Sequence, residues 1–165
     1  MARAIARRGL LLAAAALAGC GFQLRRAPEL NFSTIALAGF APRSPLAEEL
    51  KRQLAASPTT RVVEAAQQAQ VVLEALADAR DRSVVASTAS GQVREITLRA
   101  RLEFRLRSHA GKVLIAPTEI VLSRDMSYNE SAALAKEQEE GFLFRAMQGD
   151  IAAQVMRRLA AVPAV

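Results

Sequence analysis

Cysteine, histidine and tryptophan are nearly missing from this sequence. Its 165 residues include one cysteine, one histidine and no tryptophan. A single cysteine excludes an intramolecular disulfide, so the fold must depend on its packing. One histidine and one cysteine do not make a transition-metal site of the usual type, and neither a metal nor a cofactor is expected. His109 lies in a Ser-His-Ala-Gly segment typical of a solvated turn, and no nucleophile has a recognisable base beside it, which argues against an enzyme.

The sequence also lacks an apolar run long enough to cross a membrane. Its main apolar run, Gly9–Ala18, consists almost entirely of Leu and Ala and follows three arginines. A membrane-spanning helix needs about 20 apolar residues, whereas the apolar core of a secretory signal needs about 7–15. Residues 1–19 are therefore predicted to be a signal peptide.

The only cysteine stands directly after that run, in Leu17-Ala18-Gly19-Cys20. This segment resembles the bacterial lipobox, in which the cysteine becomes the acylated first residue of the mature protein. The alternative is a chance match in an Ala-rich leader. Because two or more acyl chains anchor a protein stably, acylated Cys20 is predicted to hold the protein at a membrane, with residues 20–31 forming the acylated N-terminus and a tether.

The positive charge is smaller than the composition suggests. The formal net charge is +6, but three of the 22 basic residues and none of the 16 acidic ones lie in the predicted leader, which leaves +3. An exported protein is not expected to meet nucleic acid. Arginine matches phosphate with two parallel hydrogen bonds, so a phosphorylated lipid is the better candidate partner for its basic residues.

The mature chain is predicted to form one α+β domain at residues 32–160. The predicted elements are a strand over 32–40, a helix from Pro45 capped by Ser44, strands over 70–80, 94–107 and 113–128, and a helix from Asn129 to 160. Another extended region begins at Val62 and is interrupted by the helix-favouring residues 65–69. The expected fold is a two-layer sandwich, in which a four-stranded mixed sheet carries two helices on one face in the order β-α-β-β-β-α. Pro117 favours an edge position for the last strand or a bulge within it. Residues 161–165 are expected to be a frayed tail.

The segment from Arg94 to Arg107 has the clearest pattern in the sequence. Apolar and polar residues alternate along it, which predicts a strand with one buried and one solvated face. Its arginines on the solvated face are predicted to lie in a row: Arg99, Arg101, Arg105 and Arg107. Arg94 and Lys136 are expected near an end of the sheet. Such a row either binds phosphates or acidic groups of a partner, or is a solvated face whose charges discourage aggregation.

Four short motifs resemble one known family. They are Cys20–Arg25, Ser44–Leu46, Ser90–Gln92 and Ala133–Lys136. Their order and spacing over residues 17–160 resemble the LPS-assembly lipoprotein family (LptE, once called rare lipoprotein B). The resemblance implies a non-enzymatic protein anchored in the inner leaflet of the outer membrane and facing the periplasm. Gly21 after the cysteine agrees with sorting to that membrane.

The resemblance also implies partners. Members of the family plug the lumen of the β-barrel LptD, assist its assembly and bind lipopolysaccharide during its insertion at the cell surface. On this basis the candidate phosphate-binding residues are Arg94, Arg99, Arg101, Arg105, Arg107 and Lys136. The alternative is a periplasm-facing lipoprotein that carries another envelope lipid or binds another envelope protein, and a carrier would need an apolar cavity.

Overall fold

The computed structural model describes residues 28–164, so the predicted signal peptide, Cys20 and most of the predicted tether lie outside the described residues. The elements are β1 (Thr34–Ala38), α1 (Pro45–Ala55), β2 (Arg61–Val62), β3 (Val71–Ser87), β4 (Val93–Ser108), β5 (Val113–Ser127) and α2 (Ala133–Ala160). Short 3₁₀ turns at Ala66–Gln68 and Glu130–Ala132 precede β3 and α2. Within the described range, neither helix has the length and apolar character needed to cross a bilayer.

The sheet has five strands in the order β2-β1-β3-β4-β5. β1 is parallel to both β2 and β3, and the β3-β4-β5 meander is antiparallel, as predicted. The prediction of four strands is wrong, because the extended residues before the 3₁₀ turn at Ala66–Gln68 pair with β1 as a separate strand, β2. A two-residue strand has no periodicity of its own, so pairing with β1 defines it.

Local sequence signals fix the start of α1 and the edge of the sheet. The backbone N–H of Ala47 donates to Ser44 Oγ at 3.1 Å, so Ser44 is the N-cap of α1. Pro45 follows it in the first turn of the helix, as predicted. Pro117 lies in the edge strand β5, where the ladder with β4 passes directly from Thr118 to Ile115. Both predictions are confirmed.

The core lies between the sheet and the two helices, which pack against each other. The even-numbered apolar residues of β4 are at most 2% exposed, and Phe104 is among the largest of them. Those residues are Ile96, Leu98, Ala100, Leu102, Phe104 and Leu106. The helix α2 contributes Met147, Ile151, Val155 and Leu159 at four-residue steps.

The two ends of the described chain meet in this core. Leu30 and Val162 are each 4% exposed, and the side-chain amide of Asn31 donates to the carbonyl oxygen of Val162 at 2.7 Å. The core therefore takes in residues that the sequence assigns to the tether (20–31) and to the frayed tail (161–165). The reason is that Leu30 and Val162 are apolar and complete the same packed cluster.

Candidate functional site

One side of the three long strands has no α-helix packed on it, and only its end at Val72 is buried, in a small cluster with Ala36 and Ala69. We call it the bare face and define it by the outward residues of β4, namely Thr97, Arg99, Arg101, Glu103, Arg105 and Arg107. These side chains are partly or fully exposed, whereas their even-numbered neighbours are buried. The predicted alternation along β4 is confirmed.

The first group on the bare face is an acidic residue held by two arginines. Glu74 of β3 pairs with Arg105 across the ladder, and its carboxylate lies 2.7 Å from Arg105 Nε and 3.1 Å from an Arg107 terminal nitrogen. The hydrogen bond from Arg105 holds the pKa of Glu74 below its usual range, with smaller contributions from the charges of both arginines. The same bond raises the pKa of Arg105.

The second group lies nearer the free edge of the sheet. Arg101 donates to Glu119 of β5 and also lies 3.2 Å from Glu103 of its own strand. Further along, Thr97 donates to Asp125 of β5 at 2.5 Å. Neighbouring strands thus supply acidic partners for outward residues of β4.

The predicted arginine row is therefore not a free basic surface. Arg101, Arg105 and Arg107 all form ion pairs, whereas Arg99 forms none with any residue of the part of the chain that the structure describes. Arg99 has Asp81 and Ser123 as its cross-strand neighbours. The alternation of β4 alone could not show this, because the acidic partners Glu74 and Glu119 come from other strands.

Arg94 and Lys136 lie at one end of the sheet, as predicted. Arg94 accepts a hydrogen bond at its carbonyl oxygen from the backbone of Tyr128 and lines a hollow of about 260 Å³ beside the 3₁₀ turn. Lys136 donates to Ser127 Oγ at 3.1 Å and to Glu139 at 2.8 Å. Arg94 has no partner in β3, because the ladder passes from Glu95 directly to Val93, and it lies five residues from Arg99, the nearest arginine of the bare face.

A second pair of arginines, which the sequence did not single out, faces α2. Arg82 lies 3.3 Å from Glu140 and 5.5 Å from the centre of the Tyr128 ring, while Arg80 lies 5.6 Å from the centre of the Phe144 ring. These groups line a cleft of about 650 Å³ between β3 and α2. Their spacing of two residues indicates that both arginines lie on the same face of the strand. It does not indicate which face that is.

A bulge decides that face. Ala75 pairs with Phe104 and Ala77 with Glu103, so Leu76 has no partner in β4. This extra residue shifts the alternation of β3 by one position. Arg80 and Arg82 consequently lie on the side of the sheet that α2 covers.

His109 forms a hydrogen bond through its backbone, and its side chain forms none within the described chain. It lies in the turn between β4 and β5, and its backbone N–H donates to the carbonyl oxygen of Gln70 at 2.7 Å. This is the loop position that the sequence predicts for it.

Comparison with known proteins agrees with this architecture. The family model for lipopolysaccharide assembly, LptE, matches residues 32–159. The chain belongs to the LptE family. It is therefore a lipoprotein of lipopolysaccharide assembly and envelope biogenesis.

Individual relatives of the LptE family support the assignment. The chain is 27% identical over 150 residues to the LPS-assembly lipoprotein LptE of Pectobacterium atrosepticum, covering 90% of this chain and 80% of the relative. The structure of lipoprotein B from Nitrosomonas europaea matches with a TM-score of 0.71 and 28% identity, covering 86% of this chain and 91% of that one. Rare lipoprotein B of Shewanella oneidensis shares the fold, with a TM-score of 0.65, 23% identity and coverage of 78% and 95%.

The ion pairs of Glu74 predict a specific dependence of stability on pH. Because its pKa is lowered in the folded protein, its stabilising contribution is complete above the pKa of an unfolded glutamate, about 4.3, and is lost as the pH falls through the lower folded value. We expect the Glu74→Gln variant to be less stable than the parent at pH 6, with the difference shrinking towards pH 3. Urea unfolding at a series of pH values measures it. Glu29→Gln removes an exposed carboxylate without an ion pair in the described chain, and an equal pH effect there would contradict the assignment to Glu74.

Proposed function

We propose that this chain is an outer-membrane lipoprotein, anchored through acylated Cys20, that plugs and helps to assemble the lipopolysaccharide-translocating barrel LptD. In this proposal it binds lipopolysaccharide during insertion at the cell surface and performs no catalysis. It faces the periplasm and lies within the barrel lumen. The observation that carries the proposal is the bare face, a charged sheet surface without a helix.

The chemistry of the bare face suits a polar lumen. The inner walls of transmembrane barrels are polar, and the bare face presents partly exposed ion pairs instead of an apolar surface. Partly exposed ion pairs add little to stability. They can exchange partners with charged groups of a barrel wall at small cost, so the face is suited to a polar interface.

The length of the molecule supports the same arrangement. The tether enters beside the start of β1, whose Ile35 pairs with Val71 at the end of the sheet where β4 finishes. Arg94 lies at the opposite end of β4, which has 16 residues and so spans roughly 50 Å. A bilayer with its headgroups is about 40–45 Å thick. A domain anchored at the inner leaflet and enclosed in a barrel would thus bring Arg94 and Lys136 to the level of the outer leaflet.

The alternative, a carrier of another envelope lipid, has less support. A carrier needs an apolar cavity, but the cleft of about 650 Å³ between β3 and α2 is lined mainly by charged residues. We therefore favour the plug over the carrier.

Charge reversal on the bare face tests the plug. We expect the double variant Arg99→Glu and Arg101→Glu to lower co-purification of a large outer-membrane barrel by about tenfold. The new carboxylates would face the acidic groups of the barrel wall that the arginines are proposed to meet, and like charges at an interface are strongly unfavourable. The measurement is mild detergent extraction followed by blue-native electrophoresis and identification of the partner. Arg94→Glu with Lys136→Glu should instead lower retained lipopolysaccharide while the barrel still co-purifies.

The matched control is Arg157→Glu, which reverses an exposed arginine of α2 away from both surfaces. Unfolding midpoints of all variants show that the fold is intact. An unmodified protein that runs as a free monomer after mild extraction would refute the plug.

A further inference from the structure

The two halves of α2 are held in different ways. Seven residues between Met147 and Leu159 are buried, including Ile151 and Val155. In the described chain, no residue from Ala133 to Ala146 is buried. Apolar burial is the main source of helix stability in proteins. The first half of α2 therefore receives less of this contribution than the second half, since its Leu143 and Phe144 pack against the core but stay partly exposed.

The other contacts of the first half involve charged side chains and are partly exposed. Glu140 reaches Arg82, Phe144 stacks on Arg80, and Lys136 donates to Ser127. Exposed pairs of these kinds are individually weak. Gly141 weakens the same half, since glycine lowers helix formation about fivefold relative to alanine.

This weakly held half lies over apolar side chains of the core, because its Leu143 and Phe144 pack against the cluster that contains Ile96, Leu98 and Met126. Arg82 and Arg80, which contact residues 140 and 144, pair across the ladder with Leu98 and Ala100. Leu98 and the neighbouring Ile96 are completely buried, and Met126 beside Ile96 is 4% exposed. If residues 133–146 lift, this floor is uncovered.

The floor has basic residues on both sides. Arg82 on β3 and Arg124 on β5 are the cross-strand neighbours of Leu98. In the closed arrangement Arg82 is bound to Glu140. When the first half of α2 lifts, Glu140 leaves with it and frees the guanidinium group of Arg82. Arg124 stays 3.6 Å from Asp150 in the second half of α2, so Arg82 is the arginine that is freed. An apolar floor with a freed arginine beside it matches an acyl chain that ends in an anionic headgroup.

We propose that residues 133–146 form a flap that opens to admit the acyl chain of an anionic amphiphile onto Ile96, Leu98 and Met126. Arg80 and Arg82 bind its phosphate or carboxylate. The inference deepens the proposed function and rests on it for the natural ligand, since lipopolysaccharide is an amphiphile of this class. The site itself is defined by the contacts of α2.

Two glycines of α2 provide a matched test of the flap. A Cβ on Gly141 would meet only the flexible end of Arg145 at 3.4 Å, and a Cβ on Gly149 would meet nothing within 4 Å, so alanine fits at both. Gly141 lies in the flap, whereas Gly149 lies in the fixed half. Hydrogen exchange is measured on the full chain in an amphipol. We expect amides of residues 137–145 to exchange at least about tenfold faster than those of 151–159, and Gly141→Ala to slow the former about fivefold.

Gly149→Ala should leave exchange in the flap unchanged. Equal exchange in the two halves of the unmodified protein would overturn the flap. So would equal effects of the two alanine variants on residues 137–145, because the first half would then not open on its own.

Binding is tested with dodecyl phosphate as the probe and inorganic phosphate as its chain-free control. Apparent affinity scales with the population of the open state, so Gly141→Ala should weaken binding of dodecyl phosphate about fivefold and Gly149→Ala should not change it. Equal affinity in all three proteins, or equally tight binding of inorganic phosphate, would overturn the site. If the unmodified protein bound dodecyl phosphate as expected but did not co-purify with a barrel, the proposed function would be refuted and the flap would not.

Discussion

Replacing Phe104 by alanine is expected to lower the free energy of unfolding by about 3–5 kcal/mol. Phe104 is completely buried and is among the largest side chains of the core. Its loss removes apolar burial and leaves a cavity that the surrounding β-sheet and helices cannot close without moving. Natural domains are stable by only about 5–15 kcal/mol, so the variant should be near the limit of folding. Urea unfolding followed by circular dichroism measures the change.

The adjacent face of the same strand provides the control for Phe104. Arg101→Ala removes a partly exposed side chain from β4 and should change stability by about 1 kcal/mol or less. If both substitutions had similar effects, the assignment of a buried and a solvated face to β4 would be wrong.

Replacing Gly39 by alanine is expected to cost roughly 3 kcal/mol, more than strain of the backbone alone. Gly39 has φ of +79°, and a Cβ there would overlap the carbonyl oxygen of Ala75. That atom belongs to the backbone of β3, next to the pair that joins Ala38 to Glu74. Relief of the clash requires β1 and β3 to separate at this point. The measurement is again the free energy of unfolding in urea.

A substitution at Gly91 distinguishes the cost of backbone strain from the cost of the steric clash at Gly39. The φ of +81° at Gly91 is nearly the same, but a Cβ there would have no atom within 4 Å. Gly91→Ala should therefore cost only the left-handed backbone strain, about 1–2 kcal/mol. Equal losses at Gly39 and Gly91 would show that the close approach to Ala75 does not matter.

The predictable parts of the fold are those whose signals are local. The alternation along β4 needs only the chain itself, and Ser44 with Pro45 defines the start of α1 within four residues. Pro117 restricts β5 to the edge because it lacks a backbone donor. Long periodic segments and helix caps therefore predict correctly which elements are helices and which are strands.

The remaining features depend on pairing between distant segments. β2 consists of two residues and exists because Arg61 and Val62 pair with β1. The ion pairs of Arg105 and Arg101 depend on which residues of β3 and β5 lie opposite β4. No pattern within one strand contains that information, so the arginine row could be predicted but its acidic partners could not.

The unpaired Leu76 has a consequence for how such a domain can change during evolution. If the same residues paired with β4 without a bulge, Arg80 and Arg82 would lie on the opposite side of β3, among the outward groups of β4. Loss of one codon between Leu76 and Arg80, with the bulge kept, would thus move two positive charges from the helix side to the open side without changing either arginine. Relatives with the same amino acids but a different bulge would then present different charges to the same partner.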